Sequence, residues 1–181
     1  MAAVPDKLLT TYLEMNSRNQ FRPTFLDADA IADCNLMQLE TVDLDYYRFL
    51  YRAVGAPWRW LYRLSISADE LRAMLDKPGV TVDVLYVAGA PAGYVELSRV
   101  GPHTEIAYFG LRRAYFGRGL GKHLLSLGVQ RAWNEGAGRV WLHTCNLDGP
   151  FAMANYQKRG FEIYMVEEEP MPDLYREGTT G

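Results

Sequence analysis

The stretch Phe116-Gly117-Arg118-Gly119-Leu120-Gly121-Lys122 holds the most suggestive chemistry in the chain. Its glycines alternate with other residues just before a long segment of helical apolar periodicity. Glycine has no Cβ, so successive backbone N–H groups can turn toward one point. The first turn of a helix adds N–H groups without intrahelical partners and a partial positive charge. Together these suit an anion, and a pyrophosphate best. Arg118 and Lys122 can add charge at the rim. The same spacing also serves a plain tight corner between strand and helix, and the stretch alone leaves both readings open. A Walker A loop is excluded, because no Gly-Lys-Ser/Thr closes the motif. The order Gly-x-Gly-x-Gly also departs from the Gly-x-Gly-x-x-Gly of dinucleotide sites, and it comes late in the chain.

Other reactive side chains are sparser. His143 and Cys145 fall on the same face of a strand and could form a Cys–His pair that works through a covalent intermediate. A small buried thiol is the commoner use of such a cysteine. His103, His123 and His143 lack metal-ligand spacing, so no metal is expected. Tyr46, Tyr47, Tyr51, Trp58, Trp60 and Tyr62 form an aromatic cluster. Tyr47 and Tyr51 are at helix spacing and are expected in the core. Trp58 and Trp60 follow Pro57 and can either pack there or wall a ligand slot.

These residues need a scaffold. Leu8 to Met15 reads as a strand, and Asn35 to Val42 as a weaker one. Asp43 to Val54 reads as a helix whose face is Tyr47, Leu50, Tyr51 and Val54, stopped by Gly55. A second helix starts at Ser67, with Glu70 at capping-box spacing, and ends at Pro78-Gly79. Val80 to Val87 and Ala92 to Ser98 make a hairpin around the turn Gly89-Ala90-Pro91. Thr104 to Leu111 is a further strand, and the glycine stretch leads into a helix reaching Asn134. Val140 to Thr144, a short helix after Pro150, and Phe161 to Val166 complete the order. This predicts a mixed α/β sheet of the α+β class rather than a doubly wound one.

The 181 residues fit one domain able to bury a core without staples. We place that domain at 1–169, with 170–181 a loosely held tail because of its two prolines and Gly-Thr-Thr-Gly end. A net charge of −3 gives no broad nucleic-acid surface. Two cysteines, Cys34 and Cys145, suit a reducing compartment. The N-terminus lacks the basic and apolar regions of a signal peptide, and no apolar run is long enough for a membrane span. A cytoplasmic location is therefore expected.

Three motifs in order now carry a resemblance. Glu105-Ile-Ala-Tyr-Phe-Gly-Leu111, Gly117-Arg-Gly-Leu-Gly121 and Tyr156-Gln-Lys-Arg-Gly-Phe161 are similar to the GNAT family of N-acetyltransferases over about residues 80 to 166. Tyr47 to Trp60 also resembles a bacterial subgroup of that family. The family loop is Gln/Arg-x-x-Gly-x-Gly/Ala; Gly119 and Gly121 match it, and Phe116 stands in place of Gln or Arg. The resemblance implies a three-layer fold. Its central, mostly antiparallel sheet is splayed between its fourth and fifth strands, here 104–111 and 140–144, and flanked by helices. It implies acetyl-CoA as co-substrate, with backbone groups of Leu111 and Arg113 bonding pantetheine like an added strand. Phe116, Gly117, Arg118, Gly119, Leu120, Gly121 and Lys122 would hold the pyrophosphate.

Glu105 matches the place of a family general base, with Glu96 on the neighbouring strand, or a water chain, as rivals. Tyr156 matches the family acid that serves the CoA thiolate, and Ala152 also matches. The asparagine expected seven residues before this tyrosine is Gly149, while Asn146 lies nearby at a shifted spacing. The implied reaction is direct transfer of an acetyl group to a primary amine of a small molecule or peptide. No nucleic acid or membrane takes part, and a homodimer is compatible. The alternative is a non-catalytic acyl-CoA-binding module of the same fold.

Overall fold

In the computed structural model, residues 4–176 are described. The strands are β1 (Lys7–Met15), β2 (Cys34–Gln38), β3 (Val80–Val87), β4 (Ala90–Val100), β5 (His103–Leu111), β6 (Arg139–Cys145) and β7 (Glu162–Pro170). The helices are α1 (Leu44–Gly55), α2 (Tyr62–Ser65), α3 (Ala68–Leu75), α4 (Leu120–Asn134), α5 (Ala152–Lys158) and α6 (Asp173–Arg176). All strands join one sheet in the order β2-β3-β4-β5-β6-β1-β7. Neighbours are antiparallel except β5 and β6, which run parallel.

Helices cover the sheet unequally. On one face α1 and α3 bury Tyr47, Leu50, Tyr51, Val54, Leu71 and Leu75 against Val82, Val84 and Tyr94. Asp43 starts α1 by accepting a hydrogen bond from the Tyr46 N–H at 2.9 Å. A capping box of Ser67 and Glu70 starts α3. On the other face α4 buries Leu120, Leu124, Leu125, Val129 and Ala132 against Val95, Leu97, Ile106, Val140 and Leu142. Each of these Leu, Ile and Val side chains contributes about 1.5–3 kcal/mol by leaving water. That burial fixes the start of α4 beside the end of β5.

Several local expectations change. The hairpin turn is Ala88-Gly89, with φ of 49° and 79°, and Pro91 lies within β4 opposite Tyr86. A two-residue turn of this kind needs positive φ at both positions, which glycine takes freely and alanine seldom does. The second strand is Cys34–Gln38, shorter than foreseen. The final strand continues through Glu167, Glu168 and Glu169 to Pro170, beyond the expected Val166. Tyr12 donates a hydrogen bond to Glu167 at 2.7 Å, and Lys7 pairs with Glu168. The start of the supposed loose tail is held: Met171 is buried, and the Arg176 side chain donates to its carbonyl at 2.9 Å. Residues 177–181 of that tail lie outside the described residues.

One placement decides the site. β5 and β6 are paired at His103↔Arg139, Thr104↔Val140 and Glu105↔Trp141, and the pairing stops there. The other side of β6 is held by the N-terminal strand, with pairs from Thr10↔Cys145 to Met15↔Val140. β6 is thus pulled toward β1 while β5 follows β4 as far as Gly93↔Leu111. The sheet opens as a V between its fourth and fifth strands in spatial order.

Candidate active site

The glycine loop lies at the far end of β5. Arg113–Tyr115 form one 3₁₀ turn after it. Gly117 and Gly119 then take φ of 77° and 75°, the left-handed region that favours glycine. A Cβ at Gly119 would come 3.0 Å from Leu26 Cδ2 and 3.2 Å from Lys122 Cε. Gly119 is the N-cap of α4, and no side chain caps the helix. No acidic residue lies in its first turn, and Lys122 does. A cation there opposes the helix dipole, so the uncapped N–H groups and the lysine together favour an anion. Phe116, Arg118 and Lys122 are exposed. Arg118 sits 4.0 Å from Asp33 and over the Tyr115 ring. Leu111 is buried and Arg113 exposed, both on the side of the loop where the V is widest.

Glu105 is the last β5 residue paired with β6. Its Oε1 lies 3.3 Å from His143 Nδ1, with the two side chains 22% and 47% exposed. Val140 and Leu142 point to the α4 core, so Trp141 and His143 occupy the opposite face with Glu105. Trp141 and His143 stack loosely with Tyr12 of β1, at 6.5 and 5.7 Å between ring centres. A cleft of about 240 Å³ beside them is lined by Ser98, Val100, His103, Glu105, Arg139 and Trp141.

Tyr156 is buried on α5, its ring 6.2 Å from that of Phe109 and 6.3 Å from that of Phe161. Burial pushes its phenol far above the usual range, and Asp148 and Cys145 add to this. It therefore stays a protonated donor at any physiological pH.

Glu96 is differently placed. It is buried, accepts from Tyr47 Oη at 2.6 Å and from Arg63 Nη2 at 2.8 Å. Burial pushes its carboxyl up, and the Arg63 charge and the Tyr47 bond work against this. An enclosed, doubly bonded carboxylate has a structural task, and it is far less accessible than Glu105. Asn146 is also structural: its side chain accepts from Leu9 N–H and donates to the Lys7 carbonyl, both at 3.0 Å, fixing the start of β1. His143 and Cys145 do not form a pair, because the imidazole faces Glu105. Burial pushes the Cys145 thiol up to about 11, with Asp148 adding to it.

One participant, Asp148, had no sequence argument. Asp148 accepts from Thr144 Oγ1 at 2.6 Å, from the Cys145 N–H at 3.0 Å and from Trp60 Nε1 at 3.3 Å. It ties the segment after α1 to the end of β6. Trp60 also packs on Tyr51 and Tyr108 at 5.5 and 5.1 Å. The turn Asn146-Leu147-Asp148-Gly149-Pro150 was the available signal, since aspartate side chains readily bond nearby backbone N–H groups in turns. Among the described residues no group of three or more His, Cys, Asp or Glu could hold a metal ion, and no helix is long and apolar enough to cross a membrane.

Comparison with known proteins bears on the family and the fold. Residues 45–161 match the family model for the acetyltransferase (GNAT) family. A stretch of 59 residues is 44% identical to mycothiol acetyltransferase of Corynebacterium efficiens, covering 33% of this chain and 20% of that protein. A GCN5-related N-acetyltransferase from Sphaerobacter thermophilus superposes with a TM-score of 0.65 at 14% identity, covering 93% of this chain and 53% of that one. A tandem GNAT protein from the clavulanic acid biosynthesis pathway gives 0.65 at 17% identity, covering 92% and 54%. This chain thus spans about half the length of those two structures and a fifth of the curated relative. The structural neighbours share the mixed α+β fold with its seven-stranded open sheet. With the match covering well over half of its residues, the chain belongs to the acetyltransferase (GNAT) family.

Proposed function

We propose that the protein is an N-acetyltransferase that binds acetyl-CoA in the V between β5 and β6 and passes the acetyl group directly to a primary amine in a ternary complex. The observation that carries this reading is the parting of β5 and β6 immediately after Glu105↔Trp141, on a line leading to the uncapped start of α4. Residues 106–111 of β5 then have backbone groups on the V side without a strand partner. Such an edge can bond an amide-bearing chain as a strand would. Leu111 and Arg113 would hold the pantetheine arm there. The amides of Phe116, Gly117, Arg118, Gly119, Leu120 and Gly121, with the Arg118 and Lys122 side chains, would hold the pyrophosphate. The co-substrate supplies an acetyl group already activated as a thioester.

Glu105 stands on the side where an amine would lose its proton. Tyr156, on the other side of β5, would donate its hydroxyl proton or a hydrogen bond to the departing thiolate. The raised thiol of Cys145, and a His143 ring turned to Glu105 instead of to it, argue against a covalent carrier. The acceptor is a small-molecule or peptide amine, reached from the aromatic side of the sheet. The local identity with mycothiol acetyltransferase supports a small molecule. The transferring unit takes in the whole sheet, through Pro170 and the buried Met171, and works in the cytoplasm.

The test is release of free thiol from acetyl-CoA with a panel of primary amines, with mass analysis of the acceptor. Stoichiometric thiol and acetylated amine support transfer. Tight acetyl-CoA binding without thiol release on any amine would instead mark a non-catalytic acyl-CoA module.

A further inference from the structure

We infer that the group which takes the proton from the acceptor amine is the imidazole of His143, and that Glu105 acts on it as a positioning residue. This rests on the transferase reading above and assigns a residue that the resemblance did not. The observation is the contact at the apex of the V: His143 Nδ1 lies 3.3 Å from Glu105 Oε1. Trp141 is the last β6 residue paired with β5, and His143 comes next on the same face. Its ring therefore stands on the first unpaired rungs of the opening, where an amine would have to approach. At 47% exposure the imidazole is open to a solute, whereas Glu105 is set back at 22%.

The choice between the two groups follows from basicity. A proton acceptor works best when its conjugate acid titrates near the working pH. Imidazoles as a class do so at about 6.5, and glutamates at about 4.3. At neutral pH a free carboxylate is a poor acceptor for an ammonium proton. A carboxylate beside an imidazole orients the ring and stabilises the imidazolium that forms. The other groups around the ring do not compete. On β1, Tyr12 already donates its hydroxyl to Glu167. Along β6, Arg139 is paired with Glu14 of β1 at 2.6 Å, and Cys145 carries a thiol raised by burial.

The step balances simply. The ammonium gives one proton to the imidazole, and the freed nitrogen lone pair forms the C–N bond to the acetyl carbon. The C–S bond breaks, its electron pair leaves on sulfur as the thiolate, and Tyr156 or solvent protonates it. The second amine proton then leaves to solvent, and the imidazolium returns its own.

The experiment uses the full chain, acetyl-CoA and one accepted amine, with His143→Gln, His143→Ala, Glu105→Gln and Glu105→Asp. His143→Gln is expected to lower kcat at pH 7 by about 10²- to 10⁴-fold with the KM for acetyl-CoA unchanged. Free imidazole in solution is expected to restore part of the rate to His143→Ala. Glu105→Gln is expected to cost less in kcat than His143→Gln, and Glu105→Asp is expected to recover part of that loss. The NMR signals of the His143 ring are expected to change in Glu105→Gln, because the carboxylate that faces Nδ1 is gone. A His143→Gln enzyme with wild-type rate and pH profile overturns the assignment, as does a Glu105→Gln enzyme in which the His143 ring signals are unchanged. If the wild type transfers to no amine, the transferase reading has failed, and the ring signals alone still decide whether the two side chains are coupled.

Discussion

Glu105 and Tyr156 stand on opposite sides of β5: Glu105 faces His143 at 3.3 Å, while the Tyr156 ring packs on Phe109 at 6.2 Å. A group bound in the V would have one side chain near the entering amine and the other near the leaving sulfur. Tyr156→Phe then removes a hydrogen bond that matters most as negative charge grows on sulfur. It is expected to lower kcat by about ten- to a thousandfold while changing the KM for acetyl-CoA little. Steady-state kinetics with one amine checks this, and a wild-type kcat would leave Tyr156 a packing residue.

The loop prediction is separate from the chemistry. Gly119→Val places a β-branched residue at a φ of 75° and a Cβ against Leu26 and Lys122. The first amides of α4 should then turn away from any bound pyrophosphate. Acetyl-CoA affinity, measured by calorimetry, is expected to fall at least tenfold, the equivalent of about 1.4 kcal/mol. Lys122→Ala should weaken binding as well, and more at low salt than at high salt. Unchanged affinity in both variants would move the site elsewhere.

Much of this arrangement could be read from the residues in order. The apolar face Tyr47, Leu50, Tyr51 and Val54, the Ser67/Glu70 cap and the glycine loop are local patterns, and local patterns survive folding. The position of β1 is not local. Nothing in Lys7–Met15 says that it lies between β6 and β7, because strand neighbours are set by which edges remain free once the rest has packed. The contact of Glu105 with His143 depends on the parallel register of β5 and β6, across 38 residues of sequence. The expected last strand stopped at Val166, short of Glu167-Glu168-Glu169, a run of a residue depleted in strands. At an exposed edge, held by Tyr12 and Lys7, the pairing continues through it.

The buried pair of Arg63 and Glu96 predicts a stability effect. Glu96→Gln would leave the guanidinium enclosed without its countercharge, beside the buried Tyr47 hydroxyl. Removing one partner of such a pair costs about 3–5 kcal/mol. The melting temperature is expected to fall by on the order of 10 °C. Arg63→Met with Glu96→Leu should lose less than Glu96→Gln alone. Thermal unfolding followed by circular dichroism decides it, and a Glu96→Gln protein as stable as the wild type would show the pair is dispensable.

Cys145 gives a pH test. Its thiol is pushed up to about 11 by burial, and the thiolate is the reactive form. A raised pKa means that little thiolate exists at neutral pH and that reactivity grows as the pH rises toward that value. Alkylation of Cys145 by iodoacetamide, followed by peptide mass analysis, should be slow at pH 7 and still climbing above pH 9. A rate that levels off below pH 8 would contradict the raised thiol and reopen a nucleophilic role.

The most direct measurement combines one acceptor with one mass analysis. Wild-type protein, acetyl-CoA and a primary amine are incubated, and free thiol and acetylated amine are counted together. The account predicts one acetylated amine for each thiol released, no acetyl group retained on the protein, and loss of both products in Gly119→Val. Thiol released without acetylated amine, or an acetyl group trapped on Cys145, would contradict direct transfer through the V between β5 and β6.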